Sequence, residues 1–404
     1  MDEAKARAVA GWLIDGARSA QDSSAVLAQL CERLVEGGLP LARVGVFVRT
    51  LHPQLMGRSF IWQPGAEVQT NLAPAAFALS AEYLQSPIAW VYETRQPLRR
   101  HLADPQCLMD FSILAKFRAE GMTDYFATPL FFTDGAIHGA TWTTRRPGGF
   151  TAQDIAAIET ILAPLARVAE VRALHRIAAN LLDTYVGHHA GERILAGKIH
   201  RGDTERIQAA IWLSDMRGFT ARADRMAPEY LIGLLNAYFD CQVPAILSQG
   251  GEVLKFMGDG LLAIFGIPAG SDRTGETCAR ALTAAREAGE RIADLGSAEG
   301  DPGSEPVRFG LALHLGEVLY GNIGGANRLD FTCIGPAVNL AARLEKLASR
   351  LGRSVVASED FAGHCAADLV AIGDFTLPGF AESHSVFGLA EEASSGTSAT
   401  LSSV

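Results

Sequence analysis

Two aspartates stand where a folded chain could bring them together. Asp215 follows the strand-like run Ala209–Leu213, in the string Leu213-Ser214-Asp215-Met216-Arg217-Gly218-Phe219-Thr220. Asp259 sits in Lys255-Phe256-Met257-Gly258-Asp259-Gly260, between the strand-like runs Glu252–Phe256 and Leu261–Phe265. Glycines at 258 and 260 permit a tight turn, which places the Asp259 carboxylate at a hairpin tip. Two carboxylates on adjacent strand ends can hold a divalent cation, and Mg²⁺ prefers a few carboxylates completed by substrate phosphates. Gly218 lets successive N–H groups after Asp215 turn toward an anion at a helix start. A metal beside such amides points to phosphate chemistry. Taken one at a time, Asp215 is equally readable as a helix N-cap and Asp259 as a turn residue, because Asp-Gly turns are common.

A second constellation runs from Leu329 to Glu345, as Leu-Asp-Phe-Thr-Cys-Ile-Gly-Pro-Ala-Val-Asn-Leu-Ala-Ala-Arg-Leu-Glu. Asn339 and Arg343 are four apart and share one side of a helix. Leu340, Leu344, Leu347 and Leu351 form the adjoining apolar stripe. Arg343 could meet phosphate with fixed geometry, and Asn339 could hold a sugar or a bridging water. On spacing alone, a solvated helix face pairing with nearby carboxylates is the better reading.

These residues need a scaffold, and the 404-residue chain is long enough for two or three domains. It is 48% hydrophobic and 20% charged, ordinary for a globular chain. Its net charge of −10 argues against a nucleic-acid polymer as partner, which calls for a basic face. The six cysteines (31, 107, 241, 278, 333 and 365) never reach metal-ligand or redox-pair spacing. Reduced thiols, no leader and no continuous apolar run of about 18 residues lead to an expectation of a cytoplasmic protein without a membrane span.

From about Thr204 the chain alternates strand and helix. Helices are expected at Pro228–Leu247, Cys278–Leu295 and Val338–Leu351, with strands at Val307–Leu313 and Val355–Ala357. Gly296–Glu305 reads as a surface loop, and 391–404 as a disordered tail rich in Ser, Thr and Ala. In the first part, residues 6–35 have helical apolar spacing up to Gly37-Gly38. Val44, Val46 and Val48 alternate as a strand does. Phe126–Thr133 and Ala136–Thr144 flank Asp134-Gly135, a hairpin pattern. Thr151 and Asp154 have the form of a capping box, opening a helix that runs past Pro164 toward Leu182, with a kink expected at the proline. That helix suits parallel pairing of two chains. The segment Gly187–Asp203 reads as a polar linker, and the spacing of His188, His189 and His200 does not favour metal binding.

Taken together, the strings resemble the class III nucleotide cyclases. Ser214–Thr220 is similar to the family's first metal-aspartate motif and Lys255–Gly260 to its second. Leu313–Val318 with Gly321–Gly324 is similar to the strand and turn leading to the final motif, and Phe331–Glu345 to that motif itself. The resemblance covers about residues 205–389. It implies a mixed α/β (α+β), ferredoxin-like catalytic domain at 205–390, a helical linker at 176–204 and a regulatory domain at 1–175. The first part resembles a GAF-like sensory domain: an opening helix, a late hairpin, then an exit helix. Its ligand is open. Cys31 or Cys107 could hold a chromophore and His52, His101 or His138 a haem, but lone residues of these kinds are weak pointers. Trp62, Trp90, Tyr92, Phe111 and Trp142 could line an apolar pocket, core packing being the expected role for most.

Carried over by position, the resemblance implies adenylate cyclase activity, a phosphorus-oxygen lyase turning ATP into cyclic AMP and pyrophosphate. Asp215, Asp259 and the backbone of Met216 would hold two Mg²⁺ or Mn²⁺ ions, one activating the ribose 3′-hydroxyl and one neutralising the triphosphate. Lys255 and Thr332 match the positions that read the purine, and this pair implies adenine. Arg217, Gly218, Phe219 and Thr220 would line the phosphate side. Arg343 would stabilise charge on the α-phosphoryl group while Asn339 orients the ribose. One complete set per chain implies a homodimer with two shared sites. The alternatives are a guanylate cyclase, or an inactive module that binds nucleotide or only dimerises. Where many relatives carry Leu-Lys-Gly this chain has Leu377-Pro378-Gly379, which leaves Arg217 or Arg353 to supply the missing cation.

Overall fold

The computed structural model describes residues 1–51, 54–298 and 306–394. His52, residues 299–305 of the expected surface loop and residues 395–404 of the expected tail lie outside them. The chain divides into two compact units, Met1–Leu181 and Leu182–Val404.

In the first unit six strands form one antiparallel sheet: β1 (Arg43–Arg49), β2 (Leu55–Trp62), β3 (Gln69–Pro74), β4 (Leu98–Arg100), β5 (Asp124–Phe131) and β6 (Ile137–Thr144), in the order β3-β2-β1-β6-β5-β4. Val44 and Val46 point to one face, where they meet Trp62, Phe126, Trp142 and the apolar sides of helices Glu3–Ile14, Ser23–Glu36 and Ala152–Val186. The other face carries Tyr125 and Ala127 against the helices Pro87–Thr94 and Ser112–Ala119. The expected helix over 6–35 is two helices. Gly16 at φ +85° and Ala17 at φ +49° turn the chain, and the Asp22 carboxylate accepts from the Ala25 amide at 2.8 Å to start the second helix. Capping chemistry there overrides an apolar period that happened to continue in phase. The Asp134-Gly135 turn forms with Gly135 at φ +84°. The capping box at Thr151 closes in both directions, with Thr151 N–H donating to Asp154 at 2.9 Å and Asp154 N–H to Thr151 Oγ1 at 3.2 Å. The helix it opens continues through Pro164 to Val186.

In the second unit eight strands are seen among the described residues: β7 (Thr204–Met216), β8 (Glu252–Met257), β9 (Gly260–Ile267), β10 (Phe309–Gly324), β11 (Leu329–Ile334), β12 (Val355–Ser358), β13 (Leu369–Thr376) and β14 (Ser383–Leu389). Their order is β13-β14-β12-β10-β7-β9-β8, with β11 paired to β10. From β7 to β10 the chain runs strand, helix Pro228–Ser248, strand, strand, helix Thr274–Ala298, strand, and these four strands lie side by side as β10-β7-β9-β8. This βαββαβ path is the ferredoxin-like arrangement, and the mixed α/β class read from the sequence is the one observed. Both faces are covered. Ala210 and Trp212 of β7 pack with Tyr238, Ala245, Cys278 and Ala285 of the two helices. Ala209, Ile211 and Leu213 face the opposite way, toward Ala337 and Ala341 of the helix Pro336–Leu351.

The helix over 274–298 reaches three residues into the expected loop, and Ala390–Ser394 is helical where the tail was expected to begin. Within the expected linker, His188–Leu195 is a helix whose Ala190 is fully buried against the sheet, so small residues dock a segment that polarity alone marked as a connector. The helix Pro228–Ser248 is long and apolar enough, by length and composition, to cross a membrane. Its Leu234, Tyr238, Cys241, Ala245 and Ile246 belong to the core of this unit. All six cysteines are free.

Candidate functional site

Asp215 is the next-to-last residue of β7, and the ladder to β9 pairs its neighbour Ser214 with Leu261. On the far side of β9, Met257 pairs with Gly260, leaving Gly258-Asp259 as a two-residue loop with Gly258 at φ +69°. A positive φ at the first central position is the pattern of a type II′ hairpin turn, which matches the strand twist. A Cβ added at Gly260 would lie 3.3 Å from Asp215 Oδ1, so the turn closes directly over that carboxylate. Burial, then the Asp259 charge, push the Asp215 carboxyl up to about 7. Glu345 adds to the same negative field, and its own carboxyl is raised by burial despite Lys346 and Arg217 nearby.

Three carboxyl groups with so little local compensation make a site that a divalent cation suits. Among the described residues no cluster of three or more His, Cys, Asp or Glu has metal-binding geometry. Two carboxylates plus the Met216 carbonyl, with oxygens from substrate and water, are the donor set that Mg²⁺ or Mn²⁺ accepts. The residues fit the ion.

Beneath the pair lies a buried polar chain. Trp212 Nε1 donates to Ser214 Oγ at 3.2 Å, and Ser214 Oγ donates to Gln242 Oε1 at 2.6 Å. Ser214 and Gln242 are 1% and 0% exposed. Nothing in the local sequence marks Gln242 as part of this support, because the contact spans 28 residues.

Lys255 lies on β8 and Thr332 on β11, two strands that approach each other. The Lys255 charge acts on the Cys333 thiol, which burial pushes up to about 11. Thr332 is 4% exposed, and among the described residues its hydroxyl has no hydrogen-bond partner. Asn339 is exposed and Arg343 half-buried on the helix Pro336–Leu351, whose Leu340, Leu344 and Leu347 are buried as the stripe required. Neither Lys255 nor Arg343 has a salt bridge among the described residues, and neither aspartate is paired with them.

The four residues after Met216 are placed less simply. Gly218 is left-handed at φ +70° and opens a five-residue helix, Phe219–Ala223. Phe219 packs against the core, and Thr220 is exposed. Arg217 turns its guanidinium toward the Ala348 carbonyl at 3.1 Å and feels Glu345 and Glu392. Arg353 lies 3.9 Å from Glu392. The two arginines considered for the missing basic residue thus converge on the same acidic neighbour.

Glu345 was not assigned a role from sequence. A Cβ at Gly310, which pairs with Asp215 on β10, would come within 3.4 Å of Glu345 Oε1 and 3.7 Å of Arg217, so the glycine makes room for both.

His138 is buried, accepts from the Arg49 amide at 3.0 Å and stacks near Phe132. Cys31 is buried in the apolar core. Of the five aromatics considered for a pocket, Trp62 and Trp142 belong to one core cluster, Trp90 and Phe111 to another, and Tyr92 lines a cavity.

Residues 203–379 match the family model described as the Adenylate and Guanylate cyclase catalytic domain. Adenylate cyclase 1 of Rhizobium meliloti is 29% identical over 40% of this chain and 24% of its own length. An adenylate cyclase of Anabaena cylindrica is 30% identical over 40% of this chain and 31% of its own. This chain therefore spans about a quarter to a third of those curated relatives. Among solved structures, the adenylyl cyclase CyaB from P. aeruginosa is 27% identical with a TM-score of 0.42, covering 46% of this chain and 95% of that one. Residues 203–379, a little under half of the chain, are thus similar to that catalytic-domain family.

Proposed function

We propose that the chain is an adenylate cyclase that turns ATP into 3′,5′-cyclic AMP and pyrophosphate at a site shared between two copies. The observation that carries this reading is the Asp215–Asp259 pair, set on the same sheet as Lys255 and the orphan hydroxyl of Thr332.

The 3′-oxygen of ribose attacks the α-phosphorus, the bond to the β-phosphate breaks, pyrophosphate leaves and the 3′ proton is released. Mg²⁺ or Mn²⁺ bound at Asp215, Asp259 and Met216 supplies charge neutralisation for the triphosphate and acidity for the 3′-hydroxyl. Thr332 accepts from the adenine 6-amino group and Lys255 donates to N1. Arg343, half-buried and without a salt bridge among the described residues, is available to the α-phosphoryl group of nucleotide held mainly by the second copy. Asn339, one helical turn away, orients the ribose. Positioning and charge stabilisation carry the rate in this scheme.

The first unit, with the helix leading out of it, is read as a sensory and regulatory part of GAF-like type, residues 176–204 as the connection and 205–390 as the catalytic domain. Cytoplasmic location belongs to the same reading, on the scattered cysteines and the net charge of −10. The test is the purified chain with ATP or GTP, each with Mg²⁺ or Mn²⁺, scored for cyclic product. Cyclic AMP in excess of cyclic GMP is expected. A preference for GTP makes it a guanylate cyclase, and no cyclic product from either nucleotide leaves only the binding or dimerisation module.

A further inference from the structure

The first unit contains a cavity of about 390 Å³ between the β1–β2–β5–β6 face of its sheet and the helices that cover it. That is within the range of small-molecule sites, roughly 300–1,000 Å³. Its walls are aromatic: Phe47, Phe77, Tyr83, Tyr92, Phe117 and Tyr125 all contribute.

Among the described residues, two buried polar atoms of its lining residues lack a hydrogen-bond partner, Thr141 Oγ1 and Arg58 Nε. Thr141 is 2% exposed and its hydroxyl lacks a hydrogen-bond partner. Gly45 pairs with Thr141 across β1 and β6, and a Cβ there would come within 2.8 Å of that hydroxyl, so the glycine leaves room beside it. Two residues along β1, Arg43 lays its guanidinium on the Phe117 ring at 5.1 Å. Among the described residues no carboxylate comes within salt-bridge distance of Arg43; Glu120 acts on it only at longer range. Burial pulls the Arg43 pKa down, the mark of a cation short of water and of a counter-ion. Arg49 at the rim lies 5.8 Å from the Tyr92 ring, and Glu82 is the one acid in the lining.

An apolar, flat-walled cavity with a desolvated cation and an unmet hydroxyl calls for a ligand with a flat apolar body and one anionic group. A planar guanidinium recognises a carboxylate through two parallel hydrogen bonds. We propose that this cavity binds a small aromatic carboxylate, its ring among the tyrosines and phenylalanines and its carboxylate on Arg43 and the Thr141 hydroxyl.

The experiment is calorimetric titration of the full chain with 4-phenylbutyrate, 4-phenylbutyramide and 4-phenylbutylamine. The acid is expected to bind at least roughly tenfold more tightly than the amide, with the amine weakest, because only the acid forms a charge-assisted pair. Arg43→Gln should remove the preference for the acid while leaving amide affinity within about twofold. Should that variant melt early, Thr141→Val serves in its place and should weaken the acid a few-fold without touching the amide. Ser59→Trp, which fills the cavity from β2, should abolish binding of all three. Equal affinity for acid and amide, an unchanged preference in both polar variants, or no saturable binding by the wild-type chain overturns the proposal. The readout is heat of binding, so failure here leaves the cyclase reading standing, and failure of that reading leaves this one.

Discussion

Asp259, in the turn joining β8 to β9, bears on Asp215 near the end of β7, and burial followed by the Asp259 charge holds the Asp215 carboxyl up to about 7. Like charges this close cost stability until something compensates them. Asp259→Asn should therefore raise thermal stability in metal-free buffer by on the order of 1 kcal/mol, once solvent screening is allowed for. Saturating Mg²⁺ or Mn²⁺ should stabilise the wild type and not the variant, because only the wild type gains by binding it. Differential scanning calorimetry with and without the ion decides it; a metal response that survives the substitution contradicts the placement.

The proposed sharing of each site between two copies can be tested by complementation. Asp215→Asn and Arg343→Ala should each be inactive, and an equimolar mixture should recover roughly a quarter of wild-type activity, since half the dimers then carry one intact site of two. A mixture as silent as its components would show that each site is built from a single chain.

The proposed scheme assigns nucleotide choice to Lys255 and Thr332. Lys255→Glu offers an acceptor where guanine has donors, and should raise the GTP-to-ATP ratio of kcat/KM by at least about tenfold, with ATP turnover falling. Steady-state rates with both nucleotides give the answer. An unmoved ratio would place base reading elsewhere.

The second unit also carries a pH dependence away from its site. His314 is buried, its Nδ1 is 2.8 Å from Ser358 Oγ, and burial pushes its pKa from 6.5 to about 4. Between those values the unfolded chain binds a proton that the folded chain refuses, so stability falls as pH drops through the window. At pH 4 the loss approaches about 3 kcal/mol. His314→Gln should remove most of that slope, as read from urea midpoints of this unit at pH 7 and 4.5. Parallel slopes for the two proteins would show that other groups set it.

Much of the second unit could be read in advance because its patterns were local. The Gly258-Asp259 turn, the leucine stripe beside Asn339 and Arg343, and the strand before Asp215 each lie within a few residues of their cause. The missed pieces depend on distance. Strands β11, β13 and β14 have burial patterns too mixed to show alternation, and they exist because β10 and β12 offer partners. Glu345 reaches the aspartates only because the helix bearing it crosses β7 and β10. Arg217 is part of a phosphate-side motif by position, yet its guanidinium is drawn to Ala348 and two glutamates that no local pattern brings near. In the first unit the break at Gly16 was hidden by an apolar rhythm that resumed in phase.

The hydroxyl of Ser214, wedged between an indole and a glutamine side chain, works as a peg. Sliding β7 by one residue would swing Trp212 out to the opposite side of the sheet and drive a carboxylate into the oily interior beside Tyr238. Neither outcome is tolerable, so the strand has one permitted seating. The acid at its end is aimed by a joint on the reverse side of the wall.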